Sequence, residues 1–464
     1  MEKLTEIVSV ITGWIWGLPM IILLLGGGIF LTVRLGFFQF RYFPHILKMT
    51  FGKILSKSDA PGSITPFQAT TSALASTVGA SNIVGVPVAI ALGGPGAIFW
   101  MWLVALIGMA TKYSEVVLGV KHREKNAEGE YVGGPMYYID KGLGWKHLAK
   151  FFAFGLMIVI IAGTMVQSNA LSSTVEGAFG LSPLVTGLFV TFLVGLIVYG
   201  GIKRIGKVTE KLVPIMVVVY LLSALTVLVV NVTEIPSAFL LIFHYAFTPI
   251  SAAGGFAGAG VAAAIRWGLA RGMYSNEAGM GTASIAHATA KTDHPAKQGF
   301  WGIFEVFIDT IVILTITALV VITSGMWMNV GPEEASTMVT GALSQVLGAS
   351  FAGTFISLSL LCFVLSTIVV IIYYGEKQAE YLFGIKFSKV MRVVYMCAII
   401  IGAIGGLQFV WQFLDLLLGL IIIPNVIALL FLSKQVREIT DDYFTNHYKK
   451  ESGKDPNDQF KKQA

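Results

Sequence analysis

The stretch Ser76–Gly94 reads STVGASNIVGVPVAIALGG. It sits inside a run apolar enough to enter a membrane, yet its first seven residues include Ser, Thr, Gly, Ala, Ser and Asn. A segment that served only as an anchor would carry Leu and Ile there. Each glycine costs a helix roughly 1 kcal/mol relative to alanine, so the segment is weakest where a plain anchor is strongest. We read it as a spanning helix with a loosened middle. Close helix packing through small residues is the competing explanation.

The surrounding chain sets the medium. Its 464 residues are 55% hydrophobic and only 12% charged, with mean hydropathy +0.76. Apolar runs of about 20 residues recur, the length that crosses about 30 Å of hydrocarbon. Backbone groups in lipid must pair within the protein, so helices are expected, and the alternation of an outer-membrane barrel is absent. The pattern predicts an all-α polytopic membrane protein. Eleven spans are expected, near 14–33, 66–92, 95–118, 151–176, 183–201, 212–231, 251–265 with a helical continuation, 299–325, 350–374, 391–408 and 409–432. The first run follows a single basic residue, Lys3, and has no A-x-A site, which predicts a retained helix rather than a cleaved leader.

With this division, 31 of the 32 Lys and Arg residues fall on alternate connections, Arg266 and Arg271 among them. Positive charge stays cytoplasmic. The expectation is a multi-pass protein of the cell membrane with its N-terminus outside and its C-terminal tail in the cytoplasm. The net charge of +6 then reports topology and contact with membrane lipid, not nucleic-acid binding. Cys362 and Cys397 both lie in apolar runs and read as packing residues. The seven histidines show no metal-ligand spacing, and no P-loop points to ATP-driven work.

Setting the first helix aside leaves two sets of five spans. Residues 1–65 hold the extra helix and a cytoplasmic connector, 66–231 the first set, 232–432 the second set with external amphipathic segments, and 433–464 the tail. In each set the longest internal connection follows the second span, inside at 119–150 and outside at 326–349. Opposite placement is what an inverted repeat predicts. The first set opens with the loosened helix. The second opens with SAAGGFAGAGVAAAIRWG, Ser251–Gly268, with four glycines within Gly254–Gly260. Paired glycine-rich segments at matching positions point to a binding site of broken helices at the membrane midplane. Helix N-terminal N–H groups suit a carboxylate, and unwound carbonyls suit a cation. Phe256 reads as a gate or wall of such a site, with lipid or core packing as the alternative, and Gly258 stands beside it.

Several longer motifs resemble a known family. GGPGAIFWMWLVALIG (93–108), GGPMYYIDKGLG (133–144) and ARGMYSNEAGMGTASIAHA (270–288) resemble the sodium:alanine (alanine or glycine:cation) symporters, and STIVVIIYYGE (366–376) resembles them with changes. The resemblance implies a LeuT-type fold of five plus five helices with one extra N-terminal helix. It implies a carrier, not an enzyme: a Na⁺-coupled symporter that imports a small neutral amino acid, alanine or glycine, by alternating access.

Residue by residue, the resemblance implies that Gly79, Ala80 and Ser81 offer backbone N–H groups to the substrate carboxylate. Asn82 holds the break open or supplies an oxygen. The carbonyls of Ala75 and Val78, with Phe363, Ser366 and Thr367, are candidates for a sodium site. Apart from the resemblance, Gln167 and Asn169 are amides inside a span and need partners: the substrate's amine or side chain, or a neighbouring helix. The family's Gly-Trp pair is replaced by Val370-Ile371. Ile371 is far smaller than tryptophan, which opens an alternative: a Na⁺- or H⁺-coupled importer of a longer neutral amino acid such as glutamine. Val370 in place of glycine fills space and pushes the other way.

Ionisable residues inside spans are functional suspects. The sequence shows Glu305, Asp309 and Asp415, the first two four residues apart on one helical face. One of them is expected to titrate or to pair with Arg266 or Arg271, in a structural, gating or coupling role. Glu277 and Asp293 read as gate or loop partners. A channel would show a continuous polar lining, whereas here the polar content gathers at the paired breaks. An intramembrane enzyme would need a nucleophile with a base, or metal ligands, and Ser366-Thr367 has no histidine near it in sequence. No obligate protein partner is expected.

Overall fold

The computed structural model describes the chain except residues 1, 55, 57, 58, 80, 250–259, 406–407 and 449–464. It is built of helices. In chain order they are α1 (Val8–Arg34), α2 (Pro66–Thr77), α3 (Ser81–Gly93), α4 (Ala97–Lys121), α5 (Lys146–Phe179), α6 (Pro183–Val198), α7 (Gly201–Val230), α8 (Val232–Phe247), α9 (Val261–Asn276), α10 (Thr282–His287), α11 (Pro295–Thr323), α12 (Met338–Leu347), α13 (Ala349–Phe383), α14 (Ile385–Ile404) and α15 (Gln408–Asp442). Among the described residues eight helices are long and apolar enough to cross a membrane, and the pair α2–α3, bent by 45°, makes a ninth. The expected span at 183–201 is the shorter α6, and most of the expected span at 251–265 lies outside the described residues.

The two halves of the bent span form for local reasons. Thr65 caps α2 reciprocally: the Gln68 N–H donates to Thr65 Oγ1 and the Thr65 N–H donates to Gln68 Oε1, both at 3.1 Å, with Pro66 at the first position. Val78 turns extended (φ −81°, ψ 101°) and ends the helix. The chain resumes through a wide turn at Ser81–Gly85, and Pro87 sits near the start of the regular helix Val86–Gly93.

A second break follows α9. Glu277 takes the left-handed conformation (φ 54°), Gly279 and Gly281 have φ of 100° and 79°, and α10 then starts at Thr282. The sequence reading put a break in Gly254–Gly260, most of which lies outside the described residues. Of that window only Gly260 is described; it is extended and stands before α9. Phe256 and Gly258 lie outside the described residues.

Packing brings the two breaks together. α2 lies against α7 and α13, α9 crosses α3 and α4, and α5 runs along α13, α14 and α15. The extra helix α1 lies along α15 in the same direction. At one end Trp16 Nε1 donates to the Asp415 carbonyl at 2.8 Å, and at the other Arg437 Nη1 donates to the Arg34 carbonyl at 3.1 Å. Arg266 and Arg271 share a cavity with Trp16 and Asp415, so they stand at the end opposite Arg34. They were counted with the cytoplasmic charges because α9 was taken to have finished crossing before Arg266. The chain reaches Arg123 only beyond the break, where the Ala288 and Ala290 carbonyls accept from Arg123 Nη1 at 3.1 and 2.6 Å.

Candidate functional site

At the first break Asn82, fully buried, joins three helices. Its Oδ1 accepts the Gly79 N–H at 2.9 Å, and its Nδ2 donates to Asp309 Oδ1 at 2.8 Å and to Ser275 Oγ at 3.3 Å. Asn82 therefore holds the break, one of its two expected roles. The Gly79 N–H is already paired with Asn82, contrary to the expectation that it faces a ligand freely. Ser81 Oγ donates to the Thr77 carbonyl at 3.1 Å and to Asn82 Oδ1 at 3.2 Å. Ala80 lies outside the described residues.

Opposite this break, α13 presents its two hydroxyls. Thr367 Oγ1 donates to the Ala75 carbonyl at 2.8 Å, and Ser366 Oγ donates to the Phe363 carbonyl at 2.8 Å. A Cβ on residue 79 would stand 3.2 Å from Thr367 Oγ1, a tight contact that glycine avoids. Val78 is fully buried at the turn. Thr367 and Ala75 thus bring two neutral oxygens together from different helices, with Ser366 Oγ and the Phe363 carbonyl nearby in the same turn of α13. Oxygen donors of this kind suit a hard cation.

The second break is held by a carboxylate that the sequence reading passed over. Glu115 Oε1, fully buried on α4, accepts the Gly279 N–H at 3.0 Å, the Gly281 N–H at 2.9 Å and Asn425 Nδ2 at 2.8 Å. Asn425 also donates to the Gly279 carbonyl at 2.8 Å and accepts from Tyr138. Glu277 turns the other way, and Ser76 and Thr282 donate to it. The signal was present in the quoted 270–288 motif: Asn-Glu followed by two glycines one residue apart is a poor helix interior.

Between the breaks lies a cavity of about 690 Å³, counting its open mouth. Gly79, Ser81, Gln167, Thr367 and Ile371, all expected from sequence, line it. The second break adds Tyr274, Glu277, Met280 and Thr282. Ile371 faces Gly163 of α5; a Cβ on residue 163 would meet Ile371 Cδ1 at 3.8 Å. Asn169 does not join the lining, because its Nδ2 donates to the Gly402 and Gly405 carbonyls of α14 and the turn after it, at 3.2 and 2.9 Å.

The acids of α11 have partners other than those expected. Asp309 accepts Asn82 Nδ2, Ser275 Oγ at 2.9 Å and Thr310 Oγ1 at 2.8 Å. Glu305 meets His287, which in turn meets Gln298, and lies 3.9 Å from Lys112 Nζ. Neither acid pairs with Arg266 or Arg271 among the described residues. The arginines are at the far end of α9, whereas Lys112 lies buried on α4 beside α11. Lys112 and Glu115 escaped notice because they stand at the polar-looking end of the 95–118 run. The fold also gathers His294, Asp442 and His447 within 4.8 Å, although their sequence spacing gave no metal signal. His294 Nδ1 accepts the Ala296 N–H at 3.2 Å, which leaves its Nε2 to donate to Asp442 Oδ2 at 3.0 Å.

Comparison with known proteins places this geometry. The profile of the sodium:alanine symporter family matches residues 1–460. The uncharacterized transporter YflA of Bacillus subtilis is 51% identical, over 96% of this chain and 95% of its own. The sodium/alanine symporter AgcS of Methanococcus maripaludis is 43% identical, over 92% of this chain and 94% of its own. The probable sodium/glutamine symporter GlnT of Bacillus subtilis is 38% identical, over 98% and 94%. Among solved structures, MhsT in complex with L-phenylalanine superposes with a TM-score of 0.60 at 13% identity, covering 82% of this chain and 98% of that one. The likeness to MhsT shows a shared fold of the LeuT type.

Proposed function

Because this chain belongs to the sodium:alanine symporter family, we propose that it imports a small neutral amino acid, alanine or glycine, with Na⁺ by alternating access. The observation that carries this reading is the contact of Thr367 Oγ1 with the Ala75 carbonyl beside the broken segment and its cavity. A sodium ion placed there takes lone pairs from Ala75, Val78, Phe363, Ser366 and Thr367, once the two hydroxyl protons rotate away. The substrate lies in the adjoining cavity, its carboxylate toward the break at Gly79–Ser81 and its side chain toward Ile371 and Gln167. Sodium near the carboxylate makes each ligand favour the other, a reciprocal coupling. For the Gly79 N–H to reach a carboxylate, Asn82 must release it, so substrate binding and rearrangement of the break become one step.

Eleven spans arranged as an extra helix and two inverted sets of five, in the plasma membrane, complete the proposal. The end of the bundle that carries Arg34 and Arg123 faces the cytoplasm, and the start of α1 faces outward. A second reading has one observation in its favour: Ile371, smaller than the family's tryptophan, lines the cavity beside Gly163. H⁺ is the alternative coupling ion in that reading.

The test is uptake into proteoliposomes under an inward Na⁺ gradient, with labelled alanine and glutamine followed in parallel and a pH gradient as control. Alanine uptake that collapses without Na⁺ supports the main reading. Glutamine uptake with alanine ignored supports the second. No uptake of either under either gradient would sink both.

A further inference from the structure

At the end of the bundle that carries Arg123, a cavity of about 1130 Å³, counting its open mouth, holds chemistry that the transport site leaves unused. Its walls come from the helix Phe43–Thr50 and the turn after it, the start of α2, and the joint between α10 and α11. These walls are tied to one another. The Ser63 N–H donates to the Thr289 carbonyl at 2.7 Å, and the Lys291 N–H to the Ile64 carbonyl at 2.8 Å. Gly62 packs so closely that a Cβ there would stand 2.4 Å from Lys291 Cα. Arg123 Nη2 donates to the Pro61 carbonyl at 2.8 Å.

Three lysines, Lys53, Lys291 and Lys297, line the cavity against a single carboxylate, Asp293. Lys297 Nζ donates to Asp293 Oδ2 at 2.8 Å, which balances one charge. Lys291 forms no ion pair among the described residues. The surplus is positive and calls for an anion. Gln298 adds a second requirement. It is buried in the wall, its Nε2 meets His287 Nδ1 at 2.6 Å, and its Oε1 has no hydrogen-bond partner among the described residues. An amide oxygen takes a donor, so the guest carries a hydroxyl or amine besides its negative charge. The rim adds a third. Phe51 is 60% exposed, its ring meets Phe304 edge-on at 5.5 Å, and Phe304 meets Trp301 edge-on at 5.7 Å. Trp301 is part of the cavity wall, so an aromatic strip runs from the cavity to an exposed apolar residue.

A free phosphate answers the lysines alone. A phospholipid whose phosphate carries a glycerol head answers all three requirements. Its phosphate faces the lysines, a glycerol hydroxyl donates to Gln298 Oε1, and the first carbons of its chains lie along the aromatic strip. We propose that this cavity binds the headgroup of phosphatidylglycerol from the leaflet on the Arg123 side. A lipid held there clamps the connector before α2 to the joint beyond the second break.

The test titrates the full-length protein in dodecyl maltoside with dioleoylphosphatidylglycerol and counts bound lipid by native mass spectrometry. Dioleoylphosphatidylcholine and dioleoylphosphatidylmethanol, which has the same charge but no hydroxyl, are run in parallel. One phosphatidylglycerol per chain is expected, bound about tenfold more tightly than phosphatidylcholine, with phosphatidylmethanol between the two. Lys291→Gln should weaken phosphatidylglycerol about fivefold, the loss of one basic contact, and Lys291→Arg should restore it. Lys146→Gln, an exposed lysine outside the cavity, should change nothing. Phosphatidylglycerol bound no more tightly than phosphatidylcholine, or weakened equally by Lys291→Gln and Lys146→Gln, overturns the site. Phosphatidylmethanol bound as tightly as phosphatidylglycerol overturns the glycerol head. Displacement of the lipid by inorganic phosphate or glycerol 1-phosphate assigns the cavity to a soluble phosphate and overturns the lipid.

Discussion

Thr367 shows how much a single side chain carries. Its hydroxyl spans the gap from α13 to the Ala75 carbonyl, and a Cβ on residue 79 would stand a tight 3.2 Å from that hydroxyl. Thr367→Val keeps the shape and removes the oxygen. The Na⁺ concentration that half-saturates uptake should rise about tenfold, the equivalent of ~1.4 kcal/mol; an unchanged sodium dependence would place the ion elsewhere. Gly281 is the matching case at the second break, with φ of 79° and a Cβ position only 2.3 Å from Pro135 Cγ. Gly281→Ala should destabilise by about 1–3 kcal/mol, since left-handed backbone and overpacking act together, and a lowered melting temperature in detergent would register it. Ser366-Thr367 was legible because two hydroxyls interrupt an apolar run. Lys112 and Glu115 were not, because a charge near the end of a span looks like an ordinary helix terminus until the fold buries it.

Helices and their breaks were legible to different degrees. The bent span around Gly79 could be read because its polar residues sit mid-span. The break at Glu277–Gly281 was not anticipated; the sequence reading looked to the glycine-rich window Gly254–Gly260, most of which lies outside the described residues. Glycine count alone reports flexibility or close packing; what fixes a break is a partner for the freed backbone groups. Glu115 and Asn425 supply that partner from helices far away in sequence, and no local pattern reveals it. The start of α11 offers a prediction in pH. Burial lowers the proton affinity of His294 below its ordinary value of 6.5, and its hydrogen bond lowers that of Asp442 below 3.8. Both groups bind protons less readily folded than unfolded, so their stabilisation is complete above the ordinary values and is lost as pH falls through the lowered ones. Protonation of His294 also removes the Nδ1 acceptor that caps the Ala296 N–H. The melting temperature should decline as pH falls below about 6.5, and His294→Gln should flatten that decline; equal slopes in the two proteins would rule the pair out as its source.

The molecule as a whole followed from its charge and hydropathy more reliably than any one site did. Alternating basic connections and runs of span length marked a polytopic helical protein, and the shared fold with MhsT agrees. Arg266 and Arg271, which the charge pattern counted with the cytoplasmic connections, instead line the cavity beside Trp16 and Asp415. Substrate choice belongs to the assembled cavity, where α5 and α13 face each other through Gly163 and Ile371. Ile371→Trp should fill that space and shift preference toward alanine, lowering the glutamine-to-alanine uptake ratio tenfold or more, about 1.4 kcal/mol of discrimination. An unchanged ratio would move the specificity wall elsewhere.

Coupling itself is tested most directly by reversing the roles of the two ligands. Liposomes containing the protein, with Na⁺ equal on both sides, are given an inward alanine gradient, and entry of labelled Na⁺ is followed. Reciprocal linkage requires that alanine alone drive Na⁺ inward, and that Thr367→Ala abolish this flux. Alanine that enters without moving Na⁺, or a Thr367→Ala protein that still moves it, would contradict a sodium site at the contact between α2 and α13.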